Sequence, residues 1–241
     1  MIYVMSDIHG YYKAFKKMLE KINFTEEDTL YIIGDLIDRG PKNLEIVDYC
    51  RSRDNIIVLK GNHEYMLEMY KRDKNIRRCW LKSGGNLTLE EIEKSYGENS
   101  NYEEDLIEWI EKLPLFEEVE IEDNIFLLTH AGLSKKLYDK YCKEFKIRIW
   151  SKIELGHLFE WAIRKLDYEE NEILWSKGIF ESKKVPTRDY LVIGHTPTES
   201  RKIENKNRVF SIDCGSYEEG GRIGCLCLNN LKEFYVDASE N

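Results

Sequence analysis

The chain has 241 residues, 42% of them hydrophobic and 34% charged, with a formal net charge of −9. It is long enough to bury a sizeable core, so a single domain over residues 1–241 is the first expectation. No apolar run approaches membrane-spanning length, and the acidic balance counts against broad nucleic-acid binding without excluding an anionic substrate at one local site.

Ile2–Met5 reads as a short strand that leads directly into Ser6-Asp-Ile-His-Gly10. That leaves no room for a signal peptide ahead of it. From Tyr11 to Ile22, Phe15, Met18, Leu19 and Ile22 fall on one face, which predicts an amphipathic helix. Thr29–Ile33 is an apolar run bounded by polar residues, a buried strand, and Gly34-Asp-Leu-Ile-Asp-Arg-Gly40 is the turn that leaves it. Pro41 suits the first turn of a helix reaching about Ser52. Ile56–Leu59 is a third strand, ending in Lys60-Gly-Asn-His-Glu64. Strand, loop and helix repeat in a way that predicts a parallel sheet with crossover helices.

From about 65 to 114 the chain turns polar, helical and rich in Glu and Lys, with a glycine pair at Gly84-Gly85. This segment reads as helices packed over the sheet or capping a site. Gly84-Gly85, with Trp80 before it and Thr88 after it, can be read as a simple helix stop. Glu117–Ile121 and Ile125–Thr129 flank Glu122-Asp-Asn124 as a hairpin, and the second strand ends at His130. Ser134–Asp167 is mostly helical, and Tyr190–Ile193 is a strand ending at Gly194-His195. Two hairpins close the chain, one around Asn205-Lys-Asn207 and one around Asn229-Asn230. The six cysteines show no CxxC pair and no zinc-finger spacing; they read as reduced thiols of a cytoplasmic protein.

Five strand ends therefore carry a short loop with Asp, Asn or His: Asp7/His9, Asp35/Asp38/Arg39, Asn62/His63/Glu64, His130 and His195. Four of the five histidines lie in these loops. Parallel strands bring their carboxyl ends to one edge, so the loops can converge. Imidazole, carboxylate and amide oxygen together suit manganese, iron or zinc better than magnesium or calcium. There are enough donors for two ions, which could share a bridging Asp and activate a water between them for attack on phosphorus.

Ser6-Asp-Ile-His-Gly10, Gly34-Asp-Leu-Ile-Asp-Arg-Gly40 and Gly61-Asn-His-Glu64 resemble, in order and spacing, the three motifs of the calcineurin-like metallophosphoesterases, closest to the bacterial and phage-type serine/threonine phosphatases. The resemblance implies a four-layer α/β/β/α sandwich with two mixed β-sheets. It implies that Asp7 and His9 bind one metal, that Asp35 bridges, and that Asn62, His130 and His195 complete the second. It implies His63, paired with Asp38, as general acid and Arg39, beside Asn62, on the substrate phosphate. Glu64 would orient rather than ligate. The resemblance extends to the terminal Ile212-Asp-Cys-Gly215 and Gly220-Gly221 pattern, and Trp80…Gly84-Gly85…Thr88 is, as an alternative to a helix stop, similar to a segment near the substrate cleft of the phage-type phosphatases. The related phosphatases place a second phosphate-binding Arg after a Trp; here Lys177 follows Trp175, and Arg188 or Arg164 could supply the contact instead.

The expected activity is hydrolysis of a phosphorylated Ser or Thr on a protein, or of a small phosphate ester, by a dimetal-bridging water with manganese first among the metals. The alternatives are a dinucleoside polyphosphate hydrolase, a nucleic-acid end phosphatase and an inactive metal-binding scaffold. Symmetrically cleaving dinucleotide hydrolases resemble this chain but typically carry Ala at the position of Asp38. His157 lacks the strand-end context and reads as a surface or core histidine, and Asp213 reads as a turn residue.

Overall fold

The computed structural model describes residues 1–97, 100–146, 154–165, 171–176 and 189–239. The first sheet is built on β1 (Ile2–Met5), β2 (Thr29–Ile32) and β3 (Ile56–Val58), three short apolar strands in parallel register. β9 (Arg222–Cys227) runs antiparallel along the free edge of β1, and β10 (Lys232–Asp237) pairs with β9, which gives the order β10-β9-β1-β2-β3. The second sheet has the order β4-β5-β6-β8-β7, from β4 (Phe116–Ile121), β5 (Asn124–Thr129), β6 (Tyr190–Ile193), β7 (Glu204–Lys206) and β8 (Val209–Ser211). β5, β6 and β8 are parallel, and β4 and β7 close the edges as antiparallel hairpin partners. Both sheets are mixed, as expected.

The period of two along each strand divides the core into layers. Val4, Ile33, Leu59, Leu226 and Leu228 of the first sheet meet Phe126, Leu128, Val192, Phe210 and Ile212 of the second in a core between the sheets. Their neighbours Tyr3, Met5, Cys225 and Cys227 point the other way, into a core shared with helices. On the far side of the second sheet, Leu127, Leu191 and Val209 pack with Tyr138, Tyr141, Leu158 and Phe159 of α7 (Lys135–Glu144) and α8 (Leu155–Lys165). The result is helix, sheet, sheet, helix.

Helices cover the first sheet. In α1 (Tyr12–Lys21), Ala14, Phe15, Met18 and Leu19 are buried at helical spacing. The helix stops in a left-handed turn at Asn23 (φ 50°), where Asn23 N donates to Glu20 O and Phe24 N to Leu19 O. α2 (Asn43–Arg51) lies beside it. No side chain of its own first residues caps α2; instead Glu91 of a later helix accepts from Asn43 N at 2.7 Å and Leu44 N at 3.2 Å. A carboxylate there also meets the positive end of the helix dipole.

The polar stretch after β3 is mostly helical in its described residues: α3 (Asn62–Met69), α4 (Lys74–Trp80), a turn at Leu81–Gly85 kinked at Gly84, α5 (Asn86–Tyr96) and α6 (Tyr102–Glu111). Met66, Leu67, Trp80, Ile92, Leu106 and Ile110 turn into the same core as α1. Helix α3 begins at Asn62, inside the third motif, so this layer grows directly out of the candidate site. The remaining short helix, α9 (Asn171–Leu174), precedes Trp175, whose ring meets that of Tyr65 edge-on at 5.5 Å. No described helix is long and apolar enough to cross a membrane.

Candidate active site

The five motif loops meet at the carboxyl ends of β1, β2, β3, β5 and β6, where parallel strands expose backbone and turn groups. The loops after β1 and β2 are fastened to each other: Asp7 N donates to Gly34 O, His9 N to Asp35 O and Gly10 N to Leu36 O, at 2.7–3.1 Å. Asp7, His9, Asp35, Asp38, Arg39 and His195 all have positive φ, between 49° and 75°. Such backbone costs on the order of 1 kcal/mol or more per residue and survives only where the surroundings over-determine it. Gly34 (φ 91°) shows the crowding, since a Cβ there would lie 2.6 Å from both Gly61 Cα and His130 Nδ1.

Asp35 is the hub. Its Oδ2 lies 3.6 Å from His9 Nε2 and 3.9 Å from His63 Nε2, while its Oδ1 lies 3.5 Å from His130 Nε2. Two groups of mutually close donors result, His9–Asp35–His63 and Asp35–His130–His195, which share that one carboxylate. Asn62 joins the second group: its Oδ1 is 2.8 Å from His130 Nε2 and 2.8 Å from His195 Nδ1. Asp7 stands just outside these groups; its Oδ2 accepts from His195 N at 3.0 Å and from the Ser6 hydroxyl.

Glu64 touches none of the imidazoles. Its carboxylate accepts from Asp35 N, Leu36 N and Gly61 N at 2.8–2.9 Å, which fixes the backbone that carries Asp35.

The histidine tautomers follow from their partners. His9 Nδ1 faces Ile37 O and His130 Nδ1 faces Ile33 O, each at 2.9 Å. A carbonyl only accepts, so each Nδ1 carries the proton and each Nε2 presents a lone pair to the site. For His130 that lone pair points at the amide oxygen of Asn62, and acceptors facing each other call for a cation between them. The guanidinium of Arg39 meets the same demand in the other group, with Nη1 2.6 Å from His9 Nε2 and Nη2 2.9 Å from His63 Nε2.

Electrostatics point the same way. Burial pushes the carboxyls of Asp7, Asp35 and Glu64 up, with Asp7 and Glu64 adding to the shift at Asp35. Burial, followed by neighbouring positive charge, pushes His9 and His63 down. Buried carboxylates and neutral imidazoles around one point are what a divalent ion stabilises. The residues present therefore fit a metal centre.

His63 Nδ1 lies 2.6 Å from Asp38 Oδ2, the expected pair. Asp38 has two further donors that the motifs did not reveal: Trp80 Nε1 at 2.7 Å to Oδ2, and Thr88 Oγ1 at 2.5 Å to Oδ1. Burial raises Asp38 to about 7 against the pull of Thr88, Trp80 and Arg39. The Asp38 partner fixes the ring of His63, but burial and Arg39 oppose its charge rather than favour it.

The Trp80…Gly84-Gly85…Thr88 pattern thus belongs to the site wall, and Gly84 also breaks the helix there, so both expectations hold. Gly84 (φ 106°) lies so close to Arg39 that a Cβ would sit 2.8 Å from its backbone nitrogen, and Gly85 lies against the indole of Trp80. Tyr217 and Ser216 were also not anticipated. Arg39 Cζ is 3.8 Å from the centroid of the Tyr217 ring, and Ser216 Oγ donates to Asp7 O at 2.6 Å. Only the Gly220-Gly221 pattern hinted that this loop returns to the site.

Asp213 makes the turn read from sequence, its Oδ1 accepting from Gly215 N at 2.8 Å. His157 is exposed and pairs with the Tyr141 hydroxyl, away from the site. Arg164 is exposed and pairs with Glu160 on its own helix. Lys177 and Arg188 lie outside the described residues.

The family model for calcineurin-like phosphoesterases matches residues 1–220. The chain belongs to the calcineurin-like phosphoesterase family. Members of that family work with a dinuclear metal centre, and the His/Asp groups of this chain are of that kind.

Among curated relatives, the chain is 34% identical over 134 residues to a symmetrical bis(5'-nucleosyl)-tetraphosphatase of Buchnera aphidicola, a match covering 54% of this chain and 43% of that protein. The match thus spans less than half of that relative's length. Serine/threonine-protein phosphatase 1 of Salmonella typhimurium is 27% identical over 218 residues, covering 89% of this chain and 86% of that one. Among solved structures, a protein serine/threonine phosphatase from Saccharomyces cerevisiae, with similarity to human phosphatase PP5, superposes with a TM-score of 0.60 at 17% identity, over 100% of this chain and 80% of that one. At that identity the likeness speaks for the calcineurin-like fold alone.

Proposed function

We propose that this metallophosphoesterase hydrolyses a phosphate ester or anhydride by direct attack of water on phosphorus, with a dinucleoside tetraphosphate as the first substrate class. The observation that carries the reaction is the pair of donor groups sharing Asp35, with Arg39 and His63 on one side of it. Asp7, His9, Asp35, Asn62, His130 and His195 would hold two divalent ions, manganese first and iron or zinc next. Such ions supply Lewis acidity toward phosphate oxygens and water. Arg39 holds the non-reacting phosphate oxygens through its planar fork. Asp38 holds the Nδ1 proton of His63, which leaves Nε2 to exchange a proton with the departing oxygen. The first sheet carries Asp7, His9, Asp35 and Asn62 and the second carries His130 and His195, which supports reading residues 1–241 as one catalytic domain with the 65–114 helices as its cap.

The names of the relatives support the dinucleotide substrate, since symmetrical tetraphosphatases recur among them. A second reading, phosphoprotein hydrolysis, is favoured by the triply bonded Asp38 behind His63 and by the Salmonella relative that matches along most of the chain. The two readings differ in leaving group. A nucleotide phosphate leaves without help, whereas the alkoxide of Ser or Thr needs a proton.

The test gives manganese-loaded protein a dinucleoside tetraphosphate, a phosphothreonine peptide, a phosphotyrosine peptide and a phosphate-ended oligonucleotide, each with wild type and His63→Asn, and metal content is measured alongside. Preference for the dinucleotide, with His63→Asn losing less than about tenfold, supports the first reading. Preference for the phosphothreonine peptide, with a loss of about 10²-fold or more, puts the second first. Turnover of none of the four removes both.

A further inference from the structure

We propose that Tyr217 is a positioning residue that sets the pose in which Arg39 receives phosphate. The proposal rests on the reading of Arg39 as the phosphate-holding residue. Arg39 is a long side chain with four flexible bonds, and an unrestrained guanidinium must be ordered by each anion it binds. Here its surroundings order it beforehand. The ring of Tyr217 covers one face of the guanidinium, 3.8 Å from Cζ to centroid. Nε donates to Ser83 O at 3.4 Å, and Nη2 lies 2.9 Å from His63 Nε2. The stem runs past Gly84, where a Cβ would come within 2.9 Å of Arg39 Cγ. The same phenol ring stands edge-on to His9, with centroids 5.2 Å apart and planes at 87°. One aromatic ring therefore touches a candidate metal-side imidazole and the phosphate fork at once.

The loop that carries Tyr217 is fastened on both sides of it. Upstream, Gly215 N donates to Asp213 Oδ1 at 2.8 Å and Ser216 Oγ donates to Asp7 O at 2.6 Å. Downstream, Glu218 forms an ion pair with Arg201. Tyr217 thus sits between two anchored neighbours, and its ring can restrain Arg39 rather than follow it. What matters is the π face, because the attraction is between a cation and the ring quadrupole.

The experiment measures binding of inorganic phosphate to the manganese-loaded protein by titration calorimetry, with KM and kcat for an aryl phosphate alongside. Tyr217→Leu is expected to weaken phosphate binding roughly tenfold, and Tyr217→Phe, which keeps the aromatic face, by less than about twofold. In an Arg39→Ala background, where no cation remains to face the ring, Tyr217→Leu is expected to have almost no further effect. Melting temperature and metal content monitor the fold. Unchanged phosphate affinity in Tyr217→Leu, or an equal loss in the Arg39→Ala background, overturns the proposal. If Arg39→Ala itself leaves phosphate affinity unchanged, the reading of Arg39 fails and the proposal with it. A loss in Arg39→Ala with none in Tyr217→Leu removes the proposal alone.

Discussion

At the scale of single residues, Asp38 shows how a side chain is made to do one thing. Four polar neighbours converge on it: His63, Trp80, Thr88 and, through its charge, Arg39. A carboxylate with that many donors cannot rotate away from the imidazole it orients. Thr88→Val removes one donor at unchanged shape and leaves Asp38 Oδ1 short of a partner in a buried setting. The expected loss of stability is about 2 kcal/mol, readable as a shift of the urea midpoint, together with a fall in turnover on substrates with poor leaving groups. Asp7, His9, Asp35, Arg39, Asn62, His63, His130 and His195 were legible in the sequence because each sits within a few residues of a strand end. Trp80 and Thr88 were legible only as part of a pattern near a cleft; their bonds to Asp38 were not, because they span 42 and 50 positions and depend on how the helical layer settles. Tyr217 was hidden for the same reason, since nothing local announces that it will lie against Arg39.

At the scale of elements, the kinked turn at Leu81–Gly85 does more than join α4 to α5. It lets Trp80 point at Asp38 and then brings Thr88 round to the other oxygen of the same carboxylate. Gly84 permits this with φ 106° and with no Cβ to strike Arg39. Gly84→Ala is expected to cost about 2 kcal/mol, hence roughly 4–8 °C in Tm, and to weaken phosphate binding at the same time because the displaced atoms belong to Arg39. A drop in Tm with phosphate affinity intact would separate the turn from the phosphate fork. The strands and α1 could be read from their apolar periods, and the crossover grammar gave three parallel strands. The antiparallel seat of β9 against β1 could not be read that way, because pairing partners more than 200 residues apart leave no periodic trace in either segment.

At the scale of the whole molecule, burial reaches the cysteines as well as the site. Cys50, Cys214 and Cys225 are buried free thiols, and burial raises all three, Cys214 to about 12. The sign of the resulting pH dependence is fixed. Below about pH 9 the thiols are protonated in folded and unfolded chains alike, and their contribution is fully present. Above it the unfolded chain ionises while the folded one does not, so stability falls toward pH 12 by about 1.4 kcal/mol per pH unit per thiol. Urea unfolding at pH 8 and pH 10 should show that fall, and Cys225→Ala should make it shallower whatever its effect on absolute stability. The position of β1 between β2 and β9 carries one more consequence. Asp7 follows β1 directly, yet β1 gains its second neighbour only from Arg222–Cys227, and Ser216 reaches back to the backbone of Asp7 itself. As the chain emerges during synthesis, the first residues of the centre wait for nearly the last ones. A chain cut short before Ser216 is thus expected to leave the backbone of Asp7 without that support, although it carries all the histidines.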